Sequence, residues 1–494
     1  MANDNSIKFE KILSTARLRP TTRPGRNILT ESESDRGRVL FSPAFRRLQQ
    51  KAQVFSMEPN AAVRSRLTHS LEVSQIGRFL SDEICQRLIE ASSTRLTEIQ
   101  RAALVNFVET ACLMHDIGNP PFGHFGEAAI QEWFKLHGEA CLLEAIGHTA
   151  SASDHSAINV ALADFREFDG NPQGLRIVAR LQWNTDSFGM NLTATALATF
   201  LKYSRSPLEQ KSKGPFTKKA GYFSTEQKYI QFIKDVFEYS SLRRFPLAYI
   251  MEAADDIAYC ISDLEDSLEK SIIHKNLALP EIESRYQQKK FADDAAGHAE
   301  ILAALQSIRS GKRNERDFTF TDFRTSVNNA IVHYAADRFV QNEAHVENGT
   351  LETLLPEDEP PGFLLKVLKD FCRERVYTHV SVQRVELAGY NAIYGLLEQF
   401  RPLLKASRSR FDACRQGKRE DDKKARILLE PKLLKLFPEK YLKAYEHYVA
   451  EFSDSEAPEI VEWNARAHLI TDFISGMTDD FAMTTYRTLV GIEL

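Results

Sequence analysis

Two histidines and three aspartates stand where the chain could hold a divalent cation. His69 lies in RLTHS, His115 and Asp116 end the apolar stretch of CLMHDIGN, and Asp255 with Asp256 interrupts another in EAADDIAY. Polar groups in apolar surroundings are costly to bury without a partner, and a cation would satisfy them. Two imidazoles and two carboxylates suit octahedral Mn²⁺, Mg²⁺, Fe or Co with two positions open. Singly, each residue is weak evidence, because a lone histidine on a helix is more often part of a core.

A second pair of residues suggests acid–base chemistry. His124 and Glu127 are three apart in PPFGHFGEAAI, so they share one helical face. A carboxylate beside an imidazole orients it and raises its pKa, as general acid–base catalysis near pH 7 requires. The alternative is a loop histidine followed by a glutamate that complements a helix dipole, and the residues alone leave both interpretations open.

Basic residues cluster just before the first histidine. Residues 36–66 contain seven Lys and Arg against one acid, a local charge of +6 in a chain whose net charge is −5. Arg66 lies three residues before His69, on the same helical face, and is the best candidate for a residue that binds an anionic ligand. A second basic segment, 401–443, has 14 Lys and Arg against 6 acids. It is either a solvated helical surface or a contact for a polyanion.

The elements that must position these residues are predicted to be helices, so the expected fold class is all-α. Apolar residues repeat with helical spacing over 66–90, 97–115, 246–270, 324–345, 363–377, 386–406 and 463–489. Thr97 with Gln100 predicts a capping box at the start of the second of these runs. The Lys-rich stretch 204–224 and the stretches 308–322 and 346–362 are expected to be loops or insertions.

Composition narrows the class of protein. With 494 residues, 43% hydrophobic, the chain is too apolar for disorder, and its acidic balance disfavours a dedicated duplex-DNA binder. Six widely spaced cysteines without a C-x-x-C pair predict reduced, mostly buried thiols. The polar N-terminus does not resemble a signal peptide, and no stretch reaches the about 18 apolar residues of a membrane span. We therefore expect a cytoplasmic protein with no membrane partner.

The order H…HD…D resembles the HD-domain metal-dependent phosphohydrolase superfamily. Within it, stretches from about residue 33 to 482 are similar to deoxyguanosinetriphosphate triphosphohydrolases of the longer, type 1 bacterial form. The stretches are ESDRGRVLFSPAFRRLQQKAQVF (33–55), VRSRLTHSLEV (63–73), CLMHDIGNPPFGHFGEAAI (112–130), FDGNPQGLRIV (168–178), LKYSR (201–205), IMEAADDIAYCISDLEDSLEK (250–270) and ISGMTDDFA (474–482).

This resemblance implies that His69, His115, Asp116 and Asp255 ligate one divalent metal, Mg²⁺ or Mn²⁺, with Co²⁺ or Fe as alternatives. Asp256 competes with Asp255, since side chains of adjacent helical residues point about 100° apart and only one can face the site. The D-[D/E]-I-A-Y register favours Asp255. The resemblance also favours His124 and Glu127 as the catalytic pair, which positions the attacking water and assists proton transfer to the leaving 5′ oxygen.

The resemblance assigns substrate contacts as well. Tyr259 is similar to the family tyrosine that packs under the sugar and leaves no room for a 2′-hydroxyl, and Asp263 and Gln53 to contacts of the 3′-hydroxyl. Both Tyr259 and Asp263 share a helical stripe with Asp255. The remaining candidates, several of them phosphate partners, are Arg66, Asn171, Lys202, Tyr203 and Lys219. The family more often has Glu where this chain has Asp169, a mild departure.

The implied reaction is hydrolysis of dGTP to deoxyguanosine and inorganic triphosphate by metal-activated water attacking the α-phosphorus. The alternatives are a broader dNTP triphosphohydrolase, another HD-domain nucleotide phosphohydrolase, or a binding protein with an inactive site. We expect an N-terminal segment (1–32), an HD-domain core (33–275) and a helical C-terminal region (276–494) that closes the site and contributes oligomer contacts. A homo-oligomer, hexamer or tetramer, and single-stranded DNA binding near 401–443 are further expectations.

Overall fold

The computed structural model describes residues 7–91, 96–147, 152–183, 186–212, 214–313, 316–421, 425–452, 455 and 457–492. In this part of the chain 23 α-helices account for nearly all regular structure, which confirms the predicted all-α class. The helices are α1 (Phe9–Ile12), α2 (Ile28–Leu40), α3 (Pro43–Arg47), α4 (Arg66–Glu90), α5 (Glu98–Met114), α6 (Gly123–Trp133), α7 (Glu139–Ile146), α8 (Ala152–Arg166), α9 (Gly170–Arg176), α10 (Ala194–Phe200), α11 (Gln227–Phe237), α12 (Pro246–Glu269), α13 (Lys275–Gln287), α14 (His298–Ser310), α15 (Phe320–Gln341), α16 (Glu343–Glu347), α17 (Pro360–Arg375), α18 (Val380–Lys405), α19 (Arg408–Arg415), α20 (Glu430–Leu434), α21 (Glu439–Glu451), α22 (Pro458–Ser475) and α23 (Asp479–Leu489).

Local sequence explains where the central helices begin. At α5, the Thr97 hydroxyl accepts a hydrogen bond from the Gln100 N–H, and Gln100 Oε1 accepts one from the Thr97 N–H, which confirms the predicted capping box. Ser65 and Thr68 form the same arrangement at α4. Helix α12 begins at Pro246, whose fixed φ suits a first helical position.

The core that carries the candidate site is built from α4, α5 and α12, which pack against one another. Helices α2 and α10 cover α5, α15 covers α4, and α17 covers α12. Farther along the chain α18 lies on α6 and α23. All six cysteines are buried and unpaired, as expected.

The structure corrects three details of the predicted organisation. The expected loop 308–322 holds a small antiparallel hairpin, β1 (Lys312–Arg313) and β2 (Arg316–Asp317), and helices occupy both of its ends. The run 463–489 is two helices, because the chain turns at 476–478 and Thr478 caps α23. The basic segment 401–443 is divided among parts of α18–α21, with 422–424 outside the described residues.

In the described residues no helix is both long and apolar enough to cross a membrane.

Candidate active site

Three side chains from the three central helices converge on one point. His69 lies on α4, His115 follows the last residue of α5, and Asp255 lies on α12. Asp255 Oδ1 is 3.4 Å from Nε2 of each histidine. One ligand atom from each of the three lies within 4.8 Å of the others, so they form a His/His/Asp metal-binding group.

The donor chemistry of this group fits a cation. His115 Nδ1 lies 2.7 Å from the backbone carbonyl of Cys112. A carbonyl can only accept, so Nδ1 carries the proton and Nε2 presents a lone pair. That Nε2 is buried and has no hydrogen-bond partner among the described residues, an arrangement that a bound cation would satisfy.

The two remaining aspartates have different surroundings. Asp116 Oδ2 lies 3.6 Å from His115 Nε2 but 2.8 Å from Arg66 Nη1, and Asn119 donates to the other oxygen. Burial raises the pKa of Asp116, but Arg66 and the two imidazoles outweigh burial, so that pKa lies below its ordinary value. Asp116 as a fourth ligand therefore remains a prediction. Asp256 does not belong to the metal-binding group, and its Oδ1 lies 3.9 Å from Lys369 Nζ.

The turn that carries His115 and Asp116 is pressed against α9. A Cβ on Gly118 would lie 1.9 Å from the Gly170 carbonyl oxygen and 2.1 Å from the Gly174 nitrogen. Only glycine permits this approach between two backbones. The contact brings the start of α9 beside the predicted catalytic pair, His124 and Glu127, where the Gly170 N–H donates to Glu127 Oε1 at 2.8 Å.

A cavity of about 930 Å³ opens over the metal-binding group. Twelve of the fourteen predicted site residues line it: Gln53, Arg66, His115, Asp116, His124, Glu127, Asn171, Lys202, Tyr203, Lys219, Asp255 and Tyr259. His69 and Asp263 are almost fully buried and do not line the cavity.

His124 and Glu127 form an ion pair at the cavity wall, with 2.8 Å between Nδ1 and Oε2. Both lie near the start of α6, so the histidine is helical and not in a loop. Glu127 is buried, whereas the His124 side chain is 84% exposed. The hydrogen bond and charge of Glu127 raise the pKa of His124 above its ordinary value. Glu127 therefore holds the Nδ1 edge of the His124 imidazole, while the rest of the ring stays exposed at the cavity.

Cationic side chains also line the cavity. Lys202 Nζ is 3.2 Å from Asp255 Oδ2, and Lys219 Nζ is 2.6 Å from Asp169 Oδ2. The Asn171 side chain also donates to Asp169, at 2.6 Å. With Arg66 on the other side, three cationic side chains line the cavity, and each of them is paired with a carboxylate.

A hydrogen-bonded chain of phenols leads from the cavity to Asp263. The hydroxyls of Tyr259 and Tyr377 are 2.8 Å apart, and Tyr377 donates to Asp263 Oδ2. Burial raises the pKa of Asp263 to about 7. Tyr377 is thus a site residue that the sequence analysis did not identify.

The C-terminal region supplies further cavity residues that were missed: Lys369, Arg373, Tyr377, Gln383 and Glu386. The first three repeat every four residues, the same spacing as Asp255, Tyr259 and Asp263 on the facing α12. That spacing indicates a shared helical face, but it does not indicate which helix that face will meet. The predicted domain boundaries themselves stay predictions.

Fold and site together define the class. The HD domain family model matches residues 66–179, which include both histidines of the metal-binding group and the His124–Glu127 pair. The protein is therefore an HD-domain protein.

Full-length relatives narrow the assignment. The chain is 39% identical over 498 residues to the deoxyguanosinetriphosphate triphosphohydrolases of Salmonella paratyphi A and Salmonella typhimurium, with 94% of each chain covered. It is 37% identical over 506 residues to that of Klebsiella pneumoniae, with 96% of each covered. The chain belongs to the deoxyguanosinetriphosphate triphosphohydrolase family.

Proposed function

We propose that the protein hydrolyses dGTP to deoxyguanosine and inorganic triphosphate. The observation that carries the proposal is a His/His/Asp metal-binding group beneath a cavity whose wall also holds a carboxylate-bound imidazole and several cations. The relatives named deoxyguanosinetriphosphate triphosphohydrolase, which match over nearly the full chain, support the proposal. A divalent cation held by His69, His115, Asp255 and Asp116 would supply Lewis acidity toward a phosphate oxygen and water.

The chain's own residues account for charge and proton movement. Water attacks the α-phosphorus, its oxygen stays with the triphosphate, and the bond to the 5′ oxygen breaks. Arg66, Lys202 and Lys219 neutralise the negative charge of the triphosphate. His124, kept protonated by Glu127, donates its proton to the 5′ oxygen as that oxygen leaves. The proton that the attacking water loses passes to solvent, and His124 takes up a proton from solvent to complete the cycle.

The sugar end of the cavity suits a deoxyribose. Tyr259 and Tyr377 are tied to each other and to buried Asp263, so neither phenol can move aside at low cost. A wall of this kind rejects a 2′-hydroxyl, and Gln53 accepts the 3′-hydroxyl. Asp263, the other predicted 3′-hydroxyl contact, does not line the cavity and would act on the sugar through Tyr377.

Product analysis in ¹⁸O-labelled water tests the reaction. Purified protein is incubated with each dNTP and Mn²⁺ or Mg²⁺, and the products are separated by ion exchange. Labelled triphosphate with unlabelled deoxyguanosine is the expected result. Label in the nucleoside would place the attack at the 5′ carbon, and orthophosphate or pyrophosphate as the first product would refute the proposal.

Glu386 is our candidate for the residue that reads guanine. It is half-buried, lines the cavity and has no ion pair or hydrogen bond among the described residues. The Watson–Crick edge of guanine presents two donors, N1–H and the N2 amino group, which a carboxylate can accept together. Glu386→Gln should lower the preference for dGTP over dATP at least about tenfold. Equal wild-type turnover of all four dNTPs would instead support the broader dNTP triphosphohydrolase.

Assembly and DNA binding are further parts of the proposal. Many cations of 401–443 are engaged by acids, such as Arg410 by Glu430 at 2.6 Å. A second basic surface combines exposed Arg46 and half-buried Arg47 and Lys440 with Phe41, which is 83% exposed. Burial and Arg47 lower the pKa of Lys440 to about 8. A phosphodiester chain would relieve this repulsion, and Phe41 could stack a base.

Binding of a fluorescent oligothymidylate at several salt concentrations tests this surface. We expect affinity to fall with salt and further in Arg47→Ala. Mass photometry of the same protein tests for the expected hexamer or tetramer.

A further inference from the structure

A buried lysine joins three segments around the active site. Lys51 is 3% exposed, and its Nζ donates to the backbone carbonyls of Asn119 at 2.6 Å and Ser475 at 2.7 Å. Its own carbonyl accepts from the Arg66 N–H at 2.9 Å. Asn119 ends the turn that carries His115, while Ser475 ends α22. The ammonium group thus connects the metal-binding turn to the C-terminal helices.

A buried carboxylate on the next helix makes a parallel connection. Asp479, the first residue of α23, is 3% exposed. Its Oδ2 accepts from the Ala52 N–H at 3.1 Å, and its Oδ1 from the Phe122 N–H at 3.1 Å. Ala52 precedes Gln53, and Phe122 lies two residues before His124. One carboxylate therefore holds the two sides of the cavity at a set separation.

Phe122 needs such support because its backbone is left-handed, with φ 61° and ψ 19°. A non-glycine residue in this conformation costs about 1–2 kcal/mol and persists only where its surroundings demand it. Its ring packs against α18 at Gly389, where a Cβ would lie 2.2 Å from Phe122 Cγ. The Asp479 hydrogen bond on one side and Gly389 on the other hold the start of α6, and so His124.

We propose that Lys51 and Asp479 are positioning residues for the reaction and that the α22–α23 corner sets the placement of His124 relative to the Gln53–Arg66 side of the cavity. The inference rests on the proposed function. Buried charges are a poor way to gain stability, because their desolvation cost offsets most of what their contacts return. Here, moreover, the partners of both side chains include backbone groups of the loops that carry site residues.

The expected effect is on turnover. Displacement of a catalytic group by about 1 Å can cost on the order of 100-fold, so Asp479→Ala should lower kcat for dGTP by about 10- to 100-fold. Asp480→Ala is the matched control, because Asp480 is the adjacent, exposed acid. It should leave kcat within about twofold.

A double-mutant cycle separates positioning from general damage. If Asp479 acts through His124, then Asp479→Ala should lower kcat less than threefold in a His124→Ala background. A merely structural role would give losses that multiply. Gly389→Ala, which pushes on Phe122 from the opposite side, should show the same coupling and serves if Asp479→Ala does not fold. Lys51→Met should lower kcat in the wild-type background.

Release of triphosphate by the wild-type protein is measured first. Absence of release would refute the proposed function. An active wild type in which Asp479→Ala and Gly389→Ala retain full kcat, or in which their losses multiply with that of His124→Ala, would refute the positioning role while the proposed function stands.

Discussion

The His124–Glu127 pair offers the sharpest test of the proposed chemistry. Replacement of His124 by alanine removes the general acid, which contributes roughly 10²–10⁴-fold to such reactions. At 1.36 kcal/mol per factor of ten, this corresponds to about 2.7–5.4 kcal/mol of transition-state stabilisation. Because the His124 side chain is 84% exposed, its removal should not change the stability of the fold. We therefore expect a large fall in kcat with an unchanged thermal unfolding midpoint.

Glu127→Gln isolates the charge of the carboxylate. The amide oxygen of glutamine can still accept from the Gly170 N–H, so the contact with α9 is kept. In the wild type, Glu127 raises the pKa of His124, so the imidazole stays protonated, and active as an acid, to a higher pH. Activity is lost as pH rises through that pKa. Without the carboxylate charge the pKa falls, so the loss should begin at lower pH.

The assay is a pH–rate profile of triphosphate release for the wild type, both single variants and the double variant. Since the pair acts as a unit, the double variant should be no slower than His124→Ala. His345→Ala, which removes an exposed histidine that does not line the cavity, serves as the control. A kcat for His124→Ala within threefold of wild type, or a basic limb that Glu127→Gln does not move, would refute the acid role.

Three further predictions concern the rest of the site. Gly118→Ala should lower the free energy of unfolding, measured in urea, by about 3 kcal/mol or more, because the added Cβ would meet backbone atoms of α9. Gly37→Ala is the control; its Cβ would have no atom within 4 Å, so the substitution should be neutral or stabilising. Asp255→Asn should weaken Mn²⁺ binding by more than about 100-fold in calorimetric titration, and Asp256→Asn by less than threefold; the reverse order would exchange their roles. Tyr259→Ala should reduce the ratio of kcat/KM for dGTP to that for GTP at least about tenfold, and an unchanged ratio would remove it from the sugar wall.

Local sequence patterns predicted much of the fold and of the candidate site. The capping residues of α5 and the helical spacing that followed predicted the helix that ends at His115. The i, i+3 spacing of His124 and Glu127 predicted a contact that the structure contains. Such features depend on neighbours within one or two turns, and a sequence displays these directly.

Features that depend on distant packing were not predicted. Nothing near Lys369 or Tyr377 indicates that α17 will cover α12, so their role at the cavity appears only in three dimensions. The turn at 476–478 was hidden because the apolar spacing of α22 continues into α23. The ion pair of Asp116 with Arg66 likewise joins residues fifty positions apart.

The spacing of Asp255, Tyr259 and Asp263 along α12 fixes the distance between the metal-binding group and the proposed sugar wall. At 1.5 Å per residue, the tyrosine lies about 6 Å and the second aspartate about 12 Å along the axis from the metal-binding aspartate. A rigid helix cannot shorten that interval, so a ligand whose sugar packs against Tyr259 presents its phosphates at a set depth. Removal of one residue from this stretch would turn the sugar wall by about 100° and misalign it. Helix α12 thus fixes the distance between the residues proposed to select the sugar and the aspartate of the metal-binding group. A change in the position of one would also change the position of the other.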